Sequence, residues 1–244
     1  MNLQRTGKLK NEVRDIGPDG LSAPVPLDGL YYISSGINGK PAWFFPAEKV
    51  ETRSNAPHGI LKFGADHDWA FMWSGNPFSV FAVFKPSVPG TAIWLQPRAV
   101  LLRTGVIGRT GPCFVLQWNS DSNASEGILI GENNSNVNRV ERQIVASTPP
   151  GSHPHDQWRI ITVQYTGETL LSFANAAPGV SAEQKDKPEK SVEFGSSVLE
   201  LGGMESESES LFFGSIAELI IFADCLEDGQ RIGVTRYLKE KYRL

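Results

Sequence analysis

A chain of 244 residues with 40% hydrophobic content, 13 Phe and 6 Trp has the length and apolar mass for one large domain with an extensive core. Its 23 basic and 27 acidic residues leave a net charge of −4, without the basic face that nucleic-acid binding requires, which excludes that partner class. No apolar run approaches the roughly 20 residues of a membrane span, and the 24 Gly and 16 Pro fit many turns between short strands.

Residues 1–27 differ from the rest. They carry Arg5, Lys8, Lys10 and Arg14 against Glu12 and Asp15, followed by the stretch Ile16-Gly-Pro-Asp-Gly-Leu-Ser-Ala-Pro-Val-Pro26. No periodicity runs through them, and Pro24 and Pro26 disfavour both a helix and a central strand. This segment reads as an extended arm made to lie on other protein subunits. The opening residues lack an apolar signal-peptide core, so the expectation is a protein made in the cytoplasm.

From Tyr31 onward, strand-like runs alternate with turn clusters over residues 28–244. The clearest runs are Ala42–Phe45, Ile60–Phe63, Phe78–Lys85, Val100–Arg103, Cys113–Trp118, Gly127–Ile130, Arg139–Ala146, Trp158–Tyr165, Thr169–Phe173, Val198–Leu201 and Leu211–Phe222. The charges in Arg139–Ala146 mark an edge strand. Polar loops are expected at Asn119–Glu126, Asn133–Asn138, Thr148–Gln157 and Ala176–Lys190. In the last strand, strict alternation would put Ile216, Glu218, Ile220 and Phe222 on one face and Ala217, Leu219 and Ile221 on the other. Val234, Leu238 and Tyr242, four apart, then predict a short amphipathic helix. Cys113 and Cys225 could form one bridge, but the favoured reading is two reduced thiols behaving as small hydrophobes. The pattern predicts an all-β fold: a two-sheet antiparallel jelly-roll sandwich with a short C-terminal helix.

The ending Gly214-Ser-Ile-Ala-Glu218, followed by Tyr237-Leu-Lys-Glu-Lys-Tyr-Arg-Leu244, resembles the C-terminus of the concanavalin A-like lectin/glucanase superfamily in its laminin-G-like jelly rolls. Gly36-Ile-Asn-Gly-Lys-Pro-Ala-Trp-Phe-Phe45, Phe78-Ser-Val-Phe-Ala-Val-Phe-Lys85 and the hairpin from Trp158 to Asn175 resemble three further strands of that family. Two departures stand out: Phe173-Ala-Asn-Ala176 where the family has Asn-Gly, and Glu227-Asp-Gly-Gln230 at the helix start where it has Ser-x-x-Glu. In the second, Gln230 can still reach back to a backbone N–H, and Asp228 is an alternative cap one residue later. The resemblance implies a structural role for Glu218, present in the family regardless of activity. It also implies loops that calcium commonly braces, for which Asp66 and Asp68 are the candidate ligands by virtue of their hard oxygens.

Glycosidase chemistry needs paired carboxylates on one face, with roughly 5 Å between nucleophile and acid in a retaining enzyme. The Glu-x-Asp-x-x-Glu strand of the fold's glucanases is missing here, and Glu205, Glu207 and Glu209 sit in a Ser-rich stretch that reads as a solvated loop. Lyases of the fold carry Arg-rich and Gln-x-His strands, which are also missing. Arg159 and Tyr165 share a parity that Gln164 does not. His153 and His155 flank a proline in a Pro/Gly loop, which reads as exposed turn more readily than as a metal site.

Sugar binding needs aromatic faces for stacking and polar side chains for hydroxyls. Trp43, Trp94, Trp118 and Trp158 lie in apolar runs and read as core. Trp69, Phe71 and Trp73 alternate along Asp66–Gly75 as if on one strand face, bracketed by polar residues, and are the candidate stacking platform. Asn119, Asp121 and Asn123, with Asn133, Asn134 and Asn136, decorate two loops that would serve the same site if they met at one rim. The favoured reading is a non-catalytic surface or assembly protein, such as a virion (phage) decoration or tail component, with affinity for glycans. The alternatives are a stand-alone carbohydrate-binding or adhesion module and, behind it, a polysaccharide hydrolase or lyase.

Overall fold

A computed structural model describes residues 12–14, 22–24, 30–46, 59–63, 69–72, 75–87, 99–105, 112–119, 125–132, 144–147, 156–175, 177–178, 182–183, 198–203 and 212–244. In chain order the strands are β1 (Glu12–Arg14), β2 (Ser22–Pro24), β3 (Tyr31–Ile37), β4 (Lys40–Phe45), β5 (Leu61–Phe63), β6 (Phe78–Pro86), β7 (Ala99–Gly105) and β8 (Pro112–Asn119). They continue with β9 (Ser125–Glu132), β10 (Ile144–Ser147), β11 (Arg159–Tyr165), β12 (Thr169–Ala174), β13 (Ala177–Pro178), β14 (Ala182–Glu183), β15 (Val198–Leu201) and β16 (Gly214–Phe222). A 3-10 turn covers Ala70–Met72, and helix α1 spans Asp228–Tyr242.

Among the described residues, an eight-stranded sheet runs β13-β12-β11-β6-β16-β4-β3 with β14 also on β12, and a six-stranded sheet runs β10-β9-β8-β7-β15-β5. All pairings are antiparallel. This is the expected sandwich, with the β16–α1 ending in the expected place. Asn38 and Gly39 both have positive φ, 45° and 77°, and close the β3–β4 hairpin with the two-residue turn that Asn-Gly favours.

Alternation along β6 sorts the core into two layers. Phe78, Val80, Ala82 and Phe84 enter the sandwich with Leu102, Phe114, Leu116, Leu199 and Leu201 from the facing sheet. Phe81 and Val83 point outward, to a second cluster under α1 that holds Ile37, Ile160, Leu238 and Tyr242. The molecule is thus three layers deep where the helix lies: helix, large sheet, small sheet.

β16 departs from the strict alternation expected of it. The register slips between Ile216, which pairs with Phe84, and Glu218, which pairs with Val83. This bulge sets two residues against one. Ile216, Leu219 and Ile221 therefore pack into the sandwich, while Ala217, Ile220 and Phe222 lie under the helix. Ile216 is on the opposite face from the one its sequence parity assigns.

Two regions carry more structure than expected. Short strands β13 and β14 fall inside the stretch anticipated as a polar loop, both pairing with β12. Within the N-terminal arm, β1 and β2 form a small antiparallel sheet, and β2 lies beside β5 at the edge of the six-stranded sheet.

Candidate functional site

The aromatic cluster predicted around Trp69 is organised differently from a strand face. Ala70–Met72 form a 3-10 turn, closed by the Met72 N–H donating to the Trp69 carbonyl at 3.1 Å. The Trp69 and Phe71 rings lie 6.4 Å apart, tilted at 35°, and both pack against the sandwich core. Trp69 is only 6% exposed and belongs to the sandwich core. Phe71 is half-buried, and its ring meets Phe78 edge-on at 6.5 Å. A stacking platform needs an open ring face, and Trp69 does not offer one. Trp73, Asp66 and Asp68 lie outside the described residues, as do Asp121, Asn123, Asn133, Asn134, Asn136, His153, His155, Glu205, Glu207 and Glu209.

Register fixes the strand ends that flank the two Asn-rich stretches. Asn119 ends β8 opposite Ser125, whereas Pro112 at the other end of β8 pairs with Glu132. Asn119 and Ser125 therefore lie at one end of the β8–β9 pair and Glu132 at the other, about 23 Å away along β9. Phe78, to which Phe71 is joined, packs on Phe114 at 5.2 Å. Phe114 lies five residues, about 17 Å, from Asn119 along β8.

The buried polar groups that invite a catalytic reading have structural partners. Arg103 and Glu200 pair across β7 and β15 at 3.1 Å, with side chains 5% and 4% exposed. Glu218 Oε1 accepts from Lys241 Nζ at 2.9 Å, tying the β16 bulge to the helix. Hydrogen bonds to Tyr237 and Glu218 outweigh burial and hold the Lys241 ammonium above its ordinary range. Glu200 and Glu218 belong to different sheets, on layers about 10 Å apart, and form no carboxylate pair.

Gln164 also serves the scaffold. Its Nε2 donates to the Leu226 carbonyl at 2.8 Å and to Ser79 Oγ at 3.2 Å. Ser79 in turn donates to the Asp224 carbonyl and accepts from the Leu226 N–H, both at 3.0 Å. Together they fasten the β16–α1 connection to the sheet. Cys225 sits in this network as a free thiol, its pKa raised first by burial and then by Asp224 and Asp228. As parity predicted, Tyr165 and Arg159 face the other way: Tyr165 joins the sandwich core and Arg159 lies over the Phe84 ring at 5.6 Å.

A row of side chains that sequence parity did not reveal crosses the outer face of the large sheet beyond the helix. Tyr31 pairs with Phe44, Phe44 with Ser215, and Ser215 with Lys85, while Trp158 precedes Arg159, the partner of Phe84. Lys85 Nζ stands over the Trp158 ring at 5.9 Å, and the Tyr31 and Phe44 rings lie 6.5 Å apart. Tyr31, Phe44, Lys85 and Trp158 are all half-exposed; Ser215 between them is buried. Trp43 and Trp158, expected in the core, are both only partly buried.

The sandwich recurs in solved structures. The binding domain of botulinum neurotoxin serotype G superposes with a TM-score of 0.62 at 10% identity, over 93% of this chain and 48% of the toxin domain. The fold is a two-sheet jelly-roll sandwich. The CBM40 of a Ruminococcus gnavus IT-sialidase matches with a TM-score of 0.50 at 18% identity, over 66% of this chain and 84% of that one. A leech intramolecular trans-sialidase matches at 0.51 and 15% identity, over 66% of this chain and 23% of its own. This chain thus spans about half of the toxin binding domain and under a quarter of the trans-sialidase. No family model and no curated protein matches the sequence.

Proposed function

We propose that the protein is a non-catalytic, glycan-binding module built on the lectin-like sandwich. The observation that carries this reading is the likeness of nearly the whole chain to a toxin binding domain, across 93% of its length. The structural engagement of Glu200, Glu218 and Gln164 supports it, since these groups brace the scaffold. A glycan array probed with the full-length protein tests it: reproducible binding to a defined glycan class is expected, and silence across the array counts against it. Trp73, Asn119, Asp121 and Asn123 stay as loop candidates for contacts, with Asp66 and Asp68 as calcium candidates. Alanine variants of the two groups are to be scored separately.

Within this reading the module serves as a surface component of a larger assembly, with a virion decoration or tail component as the favoured case. The arm supports it: β1 and β2 form a hairpin that sits at a sheet edge, where contacts with a neighbouring subunit are readily made. Light scattering after size exclusion is expected to find an oligomer for the full chain and a smaller species without residues 1–27. Monomers in both cases would remove the assembly role and leave a stand-alone adhesion module.

A further inference from the structure

We propose that the row Tyr31–Phe44–Ser215–Lys85–Trp158 is a binding surface for an extended acidic oligosaccharide lying across the strands. The inference rests on the glycan-binding reading and assigns it a site and a ligand class. The row takes one residue from each of β3, β4, β16 and β6 and ends on Trp158, just before β11. At the spacing of neighbouring strands it is about 19 Å long, enough for several linked pyranose rings.

Its chemistry matches such a ligand. Aromatic faces carry negative charge density, which attracts the weakly positive C–H bonds on one face of a sugar ring. Here an aromatic pair stands at one end of the row and Trp158 at the other. Lys85 lies between them and forms no ion pair among the described residues, so its ammonium is available to a carboxylate or sulfate on the sugar. Asp156, the acidic group close to the Trp158 end, is engaged by the Ser87 hydroxyl at 2.9 Å.

Width argues against a protein partner. On the helix side the next rung of the sheet, including Val83 and Ile160, is buried beneath α1. The row itself covers about 130 Å², bounded by the helix on that side and flanked on the other by the partly exposed Ser87 and Phe213. A stable protein interface needs about 800 Å² per partner. A narrow aromatic strip suits a linear sugar chain.

Calorimetric titration tests the site, using uronate-containing, sialylated and sulfated oligosaccharides beside neutral ones of matched length. Wild-type protein is expected to bind an acidic member. Phe44→Ala and Trp158→Ala should each weaken that binding at least 10-fold, and Lys85→Gln should abolish the preference for acidic over neutral chains. Trp158 also packs on the cluster under the helix, so Trp158→Phe and a thermal melt of each variant separate ligand loss from unfolding. Acidic binding that persists undiminished in folded Phe44→Ala and Lys85→Gln overturns the inference and leaves the glycan reading standing. A wild-type protein that binds neutral chains equally well overturns the ligand class, and one that binds no member of the panel overturns both.

Discussion

Gly202 and Gly214 are positions where the backbone leaves no room for a side chain. Gly202 has φ +93°, and a Cβ there would enter the Phe45 ring. Its N–H donates to the Leu101 carbonyl and its carbonyl accepts from the Phe212 N–H, which holds the peptide against that ring. Gly214, at φ +141°, begins β16 against the Lys85 carbonyl, and a Cβ would meet it. Substitution at either adds an unfavourable backbone conformation to a steric clash. Gly202→Ala is expected to cost about 2–4 kcal/mol of stability, read as a lower urea midpoint at unchanged slope. A midpoint equal to wild type would mean that the Phe45 ring yields freely.

Helix α1 shows which parts of an element its sequence discloses. The spacing of Val234, Leu238 and Tyr242 identifies the buried stripe, and Leu238 and Tyr242 are indeed packed under it. At the start, Gln230 reaches back to the Glu227 N–H at 3.0 Å, in the manner the departing cap sequence still permits. Asp228, the alternative cap, instead holds Arg231 at 3.0 Å. Arg231 and Thr235 are buried too, which apolar periodicity does not register. Arg231 lies 3.9 Å over the Phe173 ring, and Thr235 returns its hydroxyl to the Arg231 carbonyl. Leu238→Ala should destabilise the fold by about 2–5 kcal/mol, measured by chemical denaturation. A loss below 1 kcal/mol would show that the helix is loosely docked.

The same distinction runs through the sheets. Strand existence was legible because β-rich runs between Gly/Pro clusters are local signals, and the long runs Phe78–Lys85, Trp158–Tyr165 and Val198–Leu201 sit within a residue or so of β6, β11 and β15. What was hidden depends on register. The β16 bulge moves Ile216 to the other face, and nothing within Ile-Ala-Glu announces it. Phe44 stands between Trp43 and Phe45, so its parity is masked by aromatic neighbours on both sides. Trp69 looked exposed because its flanks are polar, yet a single 3-10 turn carries it into the core.

At the scale of the whole molecule, the raised pKa values share one sign. Burial, followed by the Glu168 charge, raises the Tyr165 phenol above 10.0; burial and then Glu218 raise Tyr242 likewise. Lys241 is held above 10.5 by its hydrogen bonds to Tyr237 and Glu218, against the opposing effect of burial. Unfolded, these groups release their protons at ordinary values; folded, they retain them to higher pH. Their stabilisation is complete below about pH 10 and is lost as pH rises through the folded-state values. The urea midpoint should decline gently from about pH 9, where the Cys225 thiol of the unfolded chain ionises, and fall steeply above about 10.5, with a shallower fall in Tyr242→Phe. A midpoint independent of pH up to 11.5 would rule out this linkage.

Strand order also governs how the chain can assemble during synthesis. β16, the last strand in chain order, is inserted between β6 and β4, so the early hairpin β3–β4 joins the large sheet through it. Until the ribosome has released the segment beyond Phe222, that hairpin lacks its principal neighbour and β6 presents an open edge. The nascent chain must therefore carry unsatisfied strand edges through most of its translation, and closure of the large sheet waits on the arrival of β16.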